Sequence, residues 1–210
     1  MPKRRNPLTK AMIQHWINKA KLEHQDSFIS ALSDWMILGH YTGFGKSEWI
    51  QDNSVYTINK KQIFKNIDGT VKAFILSDLV FRGKRSTRIN NSYHTKIKNP
   101  DSMLVTYRFQ KNNDNGQHVN YTRNLEDSSF CAVAAGARIR ARAQRLKVSS
   151  TEPIAVYGIK GKKTFIFNTE VKEEMRKCAT EIYKLTDPAE IQRYSSHSVR
   201  VGACVTLHAT

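Results

Sequence analysis

Ser195-Ser196-His197-Ser198-Val199-Arg200-Val201-Gly202-Ala203-Cys204-Val205-Thr206-Leu207-His208-Ala209-Thr210, the last sixteen residues, is the stretch on which the reading of this chain turns. Ser195 or Ser196 is suited to cap a helix by accepting a hydrogen bond from a first-turn N–H. In that helix His197, Val201, Cys204 and His208 share one stripe by the i, i+4, i+7 rule, with Arg200 beside it. The stripe is expected to face inward. Two basic groups in a first turn oppose the helix dipole unless an anion is meant to bind there, since helix N-termini hold phosphates well. The alternative is a surface His and Arg that happen to lie three residues apart.

Working back along the chain, residues 128 to 147 read as a long basic helix. Phe130, Val133, Ala134, Ala137, Ala141 and Leu146 are its expected buried side. Arg138, Arg140, Arg142, Arg145 and Lys147 fill the rest. Such a run is either a solvated face or one that tracks a phosphate backbone, and Arg138, Arg142 and Arg145 are the candidate contacts. Before it, 104 to 110 and 117 to 123 alternate as strands and flank an Asn-Gly turn signal at Asn115-Gly116, which predicts a hairpin with Lys111 near its tip. Residues 71 to 76 and 79 to 81 are short extended candidates, and 82 to 99 is a polar basic loop. Further short strands are expected at 153 to 157 and 164 to 167, then helices from 168 to about 185 and around Pro188.

The N-terminal part reads as helical. Residues 8 to 24 carry an apolar stripe (Met12, Ile13, Trp16, Ile17, Ala20) behind Thr9 as cap, and a second helix starts after Asp26 or Ser27. Residues 39 to 45 read as a turn and 46 to 51 as a further short helix. Trp16, Trp35 and Trp49 are expected in the core. Together these elements predict an α+β fold class, mostly helical with a small antiparallel sheet.

Lys plus Arg number 34 against 18 acids in 210 residues, a formal charge of +16. The pI is about 9.9. A hydrophobic share of 40% is too high for a disordered basic tail, so the excess charge decorates a folded domain. Nucleic acid is the commonest polyanion for such a surface, ahead of anionic membrane. No apolar run is long enough to span a bilayer, and the basic start Lys3-Arg4-Arg5 is not followed by a signal-peptide apolar region. Cys131, Cys178 and Cys204 are odd in number and far apart, which favours buried free thiols over a disulfide frame or a metal site.

The segment Ser-His-Ser-Val-Arg-Val-Gly-Ala, residues 196 to 203, resembles the His-x-x-Arg box of the tyrosine recombinases, the phage integrase family. Thr42-Gly43-Phe44-Gly45-Lys46-Ser47-Glu48-Trp49 is similar to the family's first box, Thr-Gly-x-Arg-x-x-Glu, except that Gly45 stands where the family has arginine. In this family a tyrosine attacks a DNA phosphodiester, while arginines and a histidine hold the charged phosphate and a hairpin lysine protonates the leaving oxygen. The resemblance therefore implies roles for His197, Arg200 and Lys111, no cofactor and no metal. Double-stranded DNA is the implied partner, with self-association on it left open. Lys46, next to the missing arginine, is a candidate DNA contact but lacks the planar fork that would replace it.

The resemblance runs from residue 9 to 210, behind a basic extension of residues 1 to 8. It implies a recombinase-like catalytic domain truncated before the family's nucleophilic tyrosine, because all eight tyrosines precede Arg200. The expected function is DNA binding of the recombination or integration type with strand cleavage lost. The alternatives are a non-catalytic DNA-binding or regulatory module, and a fragment of an active recombinase completed by further C-terminal sequence. An intracellular location is expected, nuclear if the source is eukaryotic.

Overall fold

The computed structural model describes residues 5–50, 71–83, 99–108 and 115–208. Thr9 caps the first helix, its side chain accepting from the Met12 N–H, and α1 runs Lys10–Ala20. Ser27 caps α2 in the same way through the Ser30 N–H, and α2 continues over Phe28–Thr42. It ends at Gly43, which takes the left-handed conformation (φ 63°) that glycine adopts at no steric cost. The expected turn at 39 to 45 is thus shorter than its glycines suggest. Gly39 lies inside α2, and only a 3-10 turn, Lys46–Glu48, comes after the cap.

A 3-10 turn at Leu76–Asp78 leads into β1 (Leu79–Arg82), which pairs antiparallel with β2 (Ser102–Tyr107). β2 in turn pairs with β3 (Gln117–Thr122), Met103 opposite Tyr121 and Tyr107 opposite Gln117. The hairpin expected around Asn115-Gly116 is present, with its first strand starting two residues earlier than the alternation suggests. Residues 71 to 75 form no strand; β1 alone carries that side of the sheet. Most of the 82 to 99 segment, and Lys111 itself, lie outside the described residues.

α3 spans Ala132–Arg145 and packs along α2. Its buried side is Ala132, Val133, Ala135, Gly136, Ile139, Arg142 and Ala143; the expected Phe130 and Val133 are in the core, and Ala134, Ala137 and Leu146 pack half-buried at its edge. The reason is an arginine on the inside: Arg142 is 2% exposed, and a stripe read from apolar letters alone cannot include it. β4 (Val156–Ile159) and β5 (Lys162–Phe165) form a tight hairpin around Gly161. α4 (Asn168–Tyr183), the short α5 (Pro188–Ile191) and α6 (Ser198–His208) complete the fold.

The core is built on aromatic packing. Trp35 stacks on Trp49 at a centroid distance of 5.3 Å and meets Phe44 edge-on at 5.7 Å. All three tryptophans are fully buried, as expected of residues that can each withdraw so much apolar area from water. The architecture is mixed α+β: helices around two small antiparallel sheets. No helix among the described residues is long and apolar enough to cross a membrane.

Candidate anion site at the start of the last helix

Two glycines one turn apart decide where α6 sits. A Cβ on Gly39 would stand 2.5 Å from Val199 Cγ1, and one on Gly43 would be 3.4 Å from the Ala203 Cβ. The 199/203 face of α6 therefore lies directly on the 39/43 face of α2, closer than any side chain at 39 would allow. Val199, Gly202 and Ala203 are buried, whereas Cys204 and Val205 are exposed. This overturns the inward stripe expected at His197 and Cys204, with Val201 half-buried, and it leaves Cys204 an exposed thiol while Cys131 and Cys178 are buried. His197 and Arg200 both face solvent. Neither Ser195 nor Ser196 caps the helix through its side chain. Ser196 Oγ donates to Asn168 Oδ1 at 2.9 Å, and Ser198 Oγ accepts from the Ser195 N–H.

The same crossing brings the Gly45 segment to Arg200. A Cβ built on Gly45 would lie 3.8 Å from Arg200 Nη1 and 3.3 Å from Glu48 Oε1. Glu48, buried, accepts the Gly45 N–H through Oε2 at 2.9 Å. Burial raises its carboxyl above the usual range, and the Gly45 N–H and the Arg200 charge pull it part of the way back. Two segments more than 150 positions apart thus meet at one point on the surface.

Other cations converge there. The His197 imidazole is held below its ordinary value first by desolvation and then by the positive charges of Lys46, Arg5, Lys172 and Arg200. Lys172 is one turn after Asn168 on α4, on the face that meets Ser196. Arg5 belongs to an N-terminal strap that crosses the front of α6. Its Nη1 donates to the Gln192 carbonyl at 2.8 Å, the Asn6 N–H to the Arg193 carbonyl, and the Leu8 N–H to the Ser198 carbonyl at 2.8 Å. Gly202 admits this strap: a Cβ there would lie 2.3 Å from the Leu8 carbonyl oxygen. Sequence reasoning misses Arg5 and Lys172 as site residues. Only the local basic run at residues 3 to 5 hints at the first, and nothing local marks the second.

The hairpin that carries Lys111 is anchored toward this region, although Lys111 itself is outside the described residues. At the end of β2 the Tyr107 hydroxyl donates to the Thr42 carbonyl at 3.2 Å, three residues before Gly45. Burial drives that phenol's acidity far below normal, so it serves as a fixed hydrogen-bonding strut. Across the turn, the Gly116 N–H donates back to the Tyr107 carbonyl at 2.7 Å.

Arg138, Arg142 and Arg145 do not join the cluster. Arg142 Nη2 donates to Asp34 Oδ2 at 2.7 Å and to the Gln25 carbonyl at 2.9 Å, with the side chain only 3% exposed. Arg138 Nε takes the other oxygen of Asp34 at 2.6 Å. Arg145 Nη2 holds Asp26 Oδ1 at 2.6 Å. Burial alone would raise Asp26, but Arg145, and then Arg142, hold it below the usual carboxylate range. The expected backbone-tracking role does not fit Arg142, whose guanidinium is inside the protein clamping α3 to α2. Lys46, by contrast, sits close enough to His197 for its charge to be felt there. Among the described residues no group of His, Cys, Asp and Glu is arranged to hold a metal ion.

No family model matches this chain, and neither the curated proteins nor the solved structures include a match to it.

Proposed function

We propose that the protein is a DNA-binding member of the tyrosine-recombinase type that grips a backbone phosphate with His197 and Arg200 and does not cut it. The observation that carries this reading is the meeting of Gly45 with Arg200, because the two sequence boxes have no local reason to adjoin. In a recombinase the first-box arginine would reach the same phosphate as the second-box arginine, so the positions must converge. They do. The excess of positive charge around them supports an anionic ligand, and the α+β architecture is compatible with a recombinase-like catalytic domain.

Loss of cleavage is the consequence of two features of the site. Glycine at 45 removes a charge-assisted bidentate contact to the transition-state phosphate, worth about a hundredfold or more in rate. The six tyrosines of the described residues are engaged elsewhere. Tyr41 donates to the Phe130 carbonyl, Tyr157 to Glu170, and Tyr107 and Tyr121 bond to each other. Tyr183 shares a hydrogen bond with Thr9 and stacks on the buried Tyr194. None of these is a free hydroxyl beside Arg200.

The test pairs two measurements on the full chain. Binding to a duplex of about twenty base pairs should weaken steeply as salt rises, because each neutralised phosphate releases counterions. Incubation with a nicked suicide duplex should leave no covalent adduct on a denaturing gel. Salt-independent binding removes the DNA reading, and a tyrosyl adduct removes the claim of lost cleavage.

A further inference from the structure

The charge at this site exceeds what one phosphate can use. A phosphodiester carries a single negative charge. Even with Lys46 set aside, His197 feels the positive charges of Arg5, Lys172 and Arg200, and Glu48 is the acid whose carboxyl feels Arg200. They come from three separate parts of the chain: the N-terminal strap, α4 and α6. Arg5 is held by its bond to the Gln192 carbonyl and by the backbone bonds of Asn6 and Leu8. Lys172 lies one turn along α4 from Asn168, which accepts from Ser196, the residue before His197. A cluster assembled from such independent anchors costs Coulomb repulsion, and an extended polyanion relieves it better than a single small anion.

We propose that Arg5 and Lys172 hold the phosphates flanking the one held by His197 and Arg200, so that the site takes a run of consecutive backbone phosphates of one DNA strand. This rests on the DNA reading above and adds to it a subsite built by the N-terminal strap. It also gives the strap a purpose. Arg5 and Asn6 bond to Gln192 and Arg193 just after α5, and Leu8 lies on α6 where Gly202 makes room. A mononucleotide or inorganic phosphate would engage only the central pair and leave the outer cations unmatched.

The salt dependence of duplex binding separates these cases, because the slope of log affinity against log salt falls by about 0.9 for each phosphate contact removed. R5Q and K172Q should each lower the slope by about 0.9, the double variant by about twice that, with thermal unfolding unchanged because Arg5 is exposed and Lys172 only half-buried. If R200Q flattens the slope while R5Q, K172Q and their double leave it at the wild-type value, the flanking subsites do not exist and the central phosphate grip stands. If the wild-type chain itself shows no salt dependence, the DNA reading fails and this inference with it.

Discussion

The arginines of α3 and the cations at the start of α6 are the same kind of residue put to opposite uses. Along α3, Arg138, Arg142 and Arg145 each meet a carboxylate: Asp34 takes two of them and Asp26 the third. At the start of α6, His197 is held below its ordinary value by desolvation and then by the charges of Lys46, Arg5, Lys172 and Arg200. The first group is neutralised by the protein. In the second, Glu48 is the acid whose carboxyl feels Arg200. A tally of basic residues cannot tell these apart; the difference lies in how many acids the fold delivers to each group. The α3 arginines hold helix to helix, and the α6 cluster is where we propose that a ligand is held.

Removing Asp34 should break the first region most severely. D34A leaves Arg142 charged, buried and deprived of its carboxylate, a situation that costs about 3–5 kcal/mol. For a chain of this length the midpoint of thermal unfolding should fall by roughly 10 °C. A midpoint within a degree or two of wild type would mean that Arg142 is not held as described. R142Q should be similarly damaging, and its effect on DNA affinity should track the unfolded fraction alone.

In the second region the effects reverse. R200Q should cost about 1.5–3 kcal/mol of duplex binding, roughly ten- to a hundredfold in Kd, with the unfolding midpoint unmoved. Anisotropy and calorimetry on the same preparation check both halves. A protein that loses stability and keeps affinity would place Arg200 with the α3 group.

A smaller effect concerns pH. Desolvation and its cationic neighbours hold His197 below the ordinary 6.5. The unfolded chain then binds that proton more readily than the folded one, so the stability contribution is complete above about pH 6.5 and is lost as pH falls. A bound phosphate reverses the preference, since imidazolium pairs with it. Duplex affinity should therefore rise as pH drops from about 7.5 to about 5.5, while the free protein loses stability over the same window. H197Q should remove most of the affinity trend, while His40, held below its ordinary value by burial, keeps part of the stability trend. Smallest of all, R145Q breaks a partly exposed pair and should cost no more than about 1 kcal/mol of stability.

Much of the fold is legible in the letters. The caps at Thr9 and Ser27, the three buried tryptophans and the Asn-Gly hairpin all come from local chemistry, because each depends on residues within a turn or two. The failures share one cause. Gly39 reads as a turn residue, yet it serves close packing against Val199, a partner 160 residues away that no local rule can reveal. The expected α3 and α6 stripes rest on apolar spacing. In α3 a paired arginine occupies an inner position, and in α6 Val199 and Ala203 meet the glycines of α2. Of the proposed site, the sequence names His197, Arg200 and position 45. Arg5 and Lys172 are invisible because the proposed relevance of each arises only when the strap and α4 meet the segment that leads into α6.

The most direct test is duplex binding by wild type and R200Q side by side at about 50 and about 200 mM salt. The account predicts that wild type binds tightly at low salt and loses affinity by orders of magnitude at high salt, and that R200Q is at least tenfold weaker at low salt with a shallower dependence. Equal affinities and equal slopes for the two proteins would contradict it.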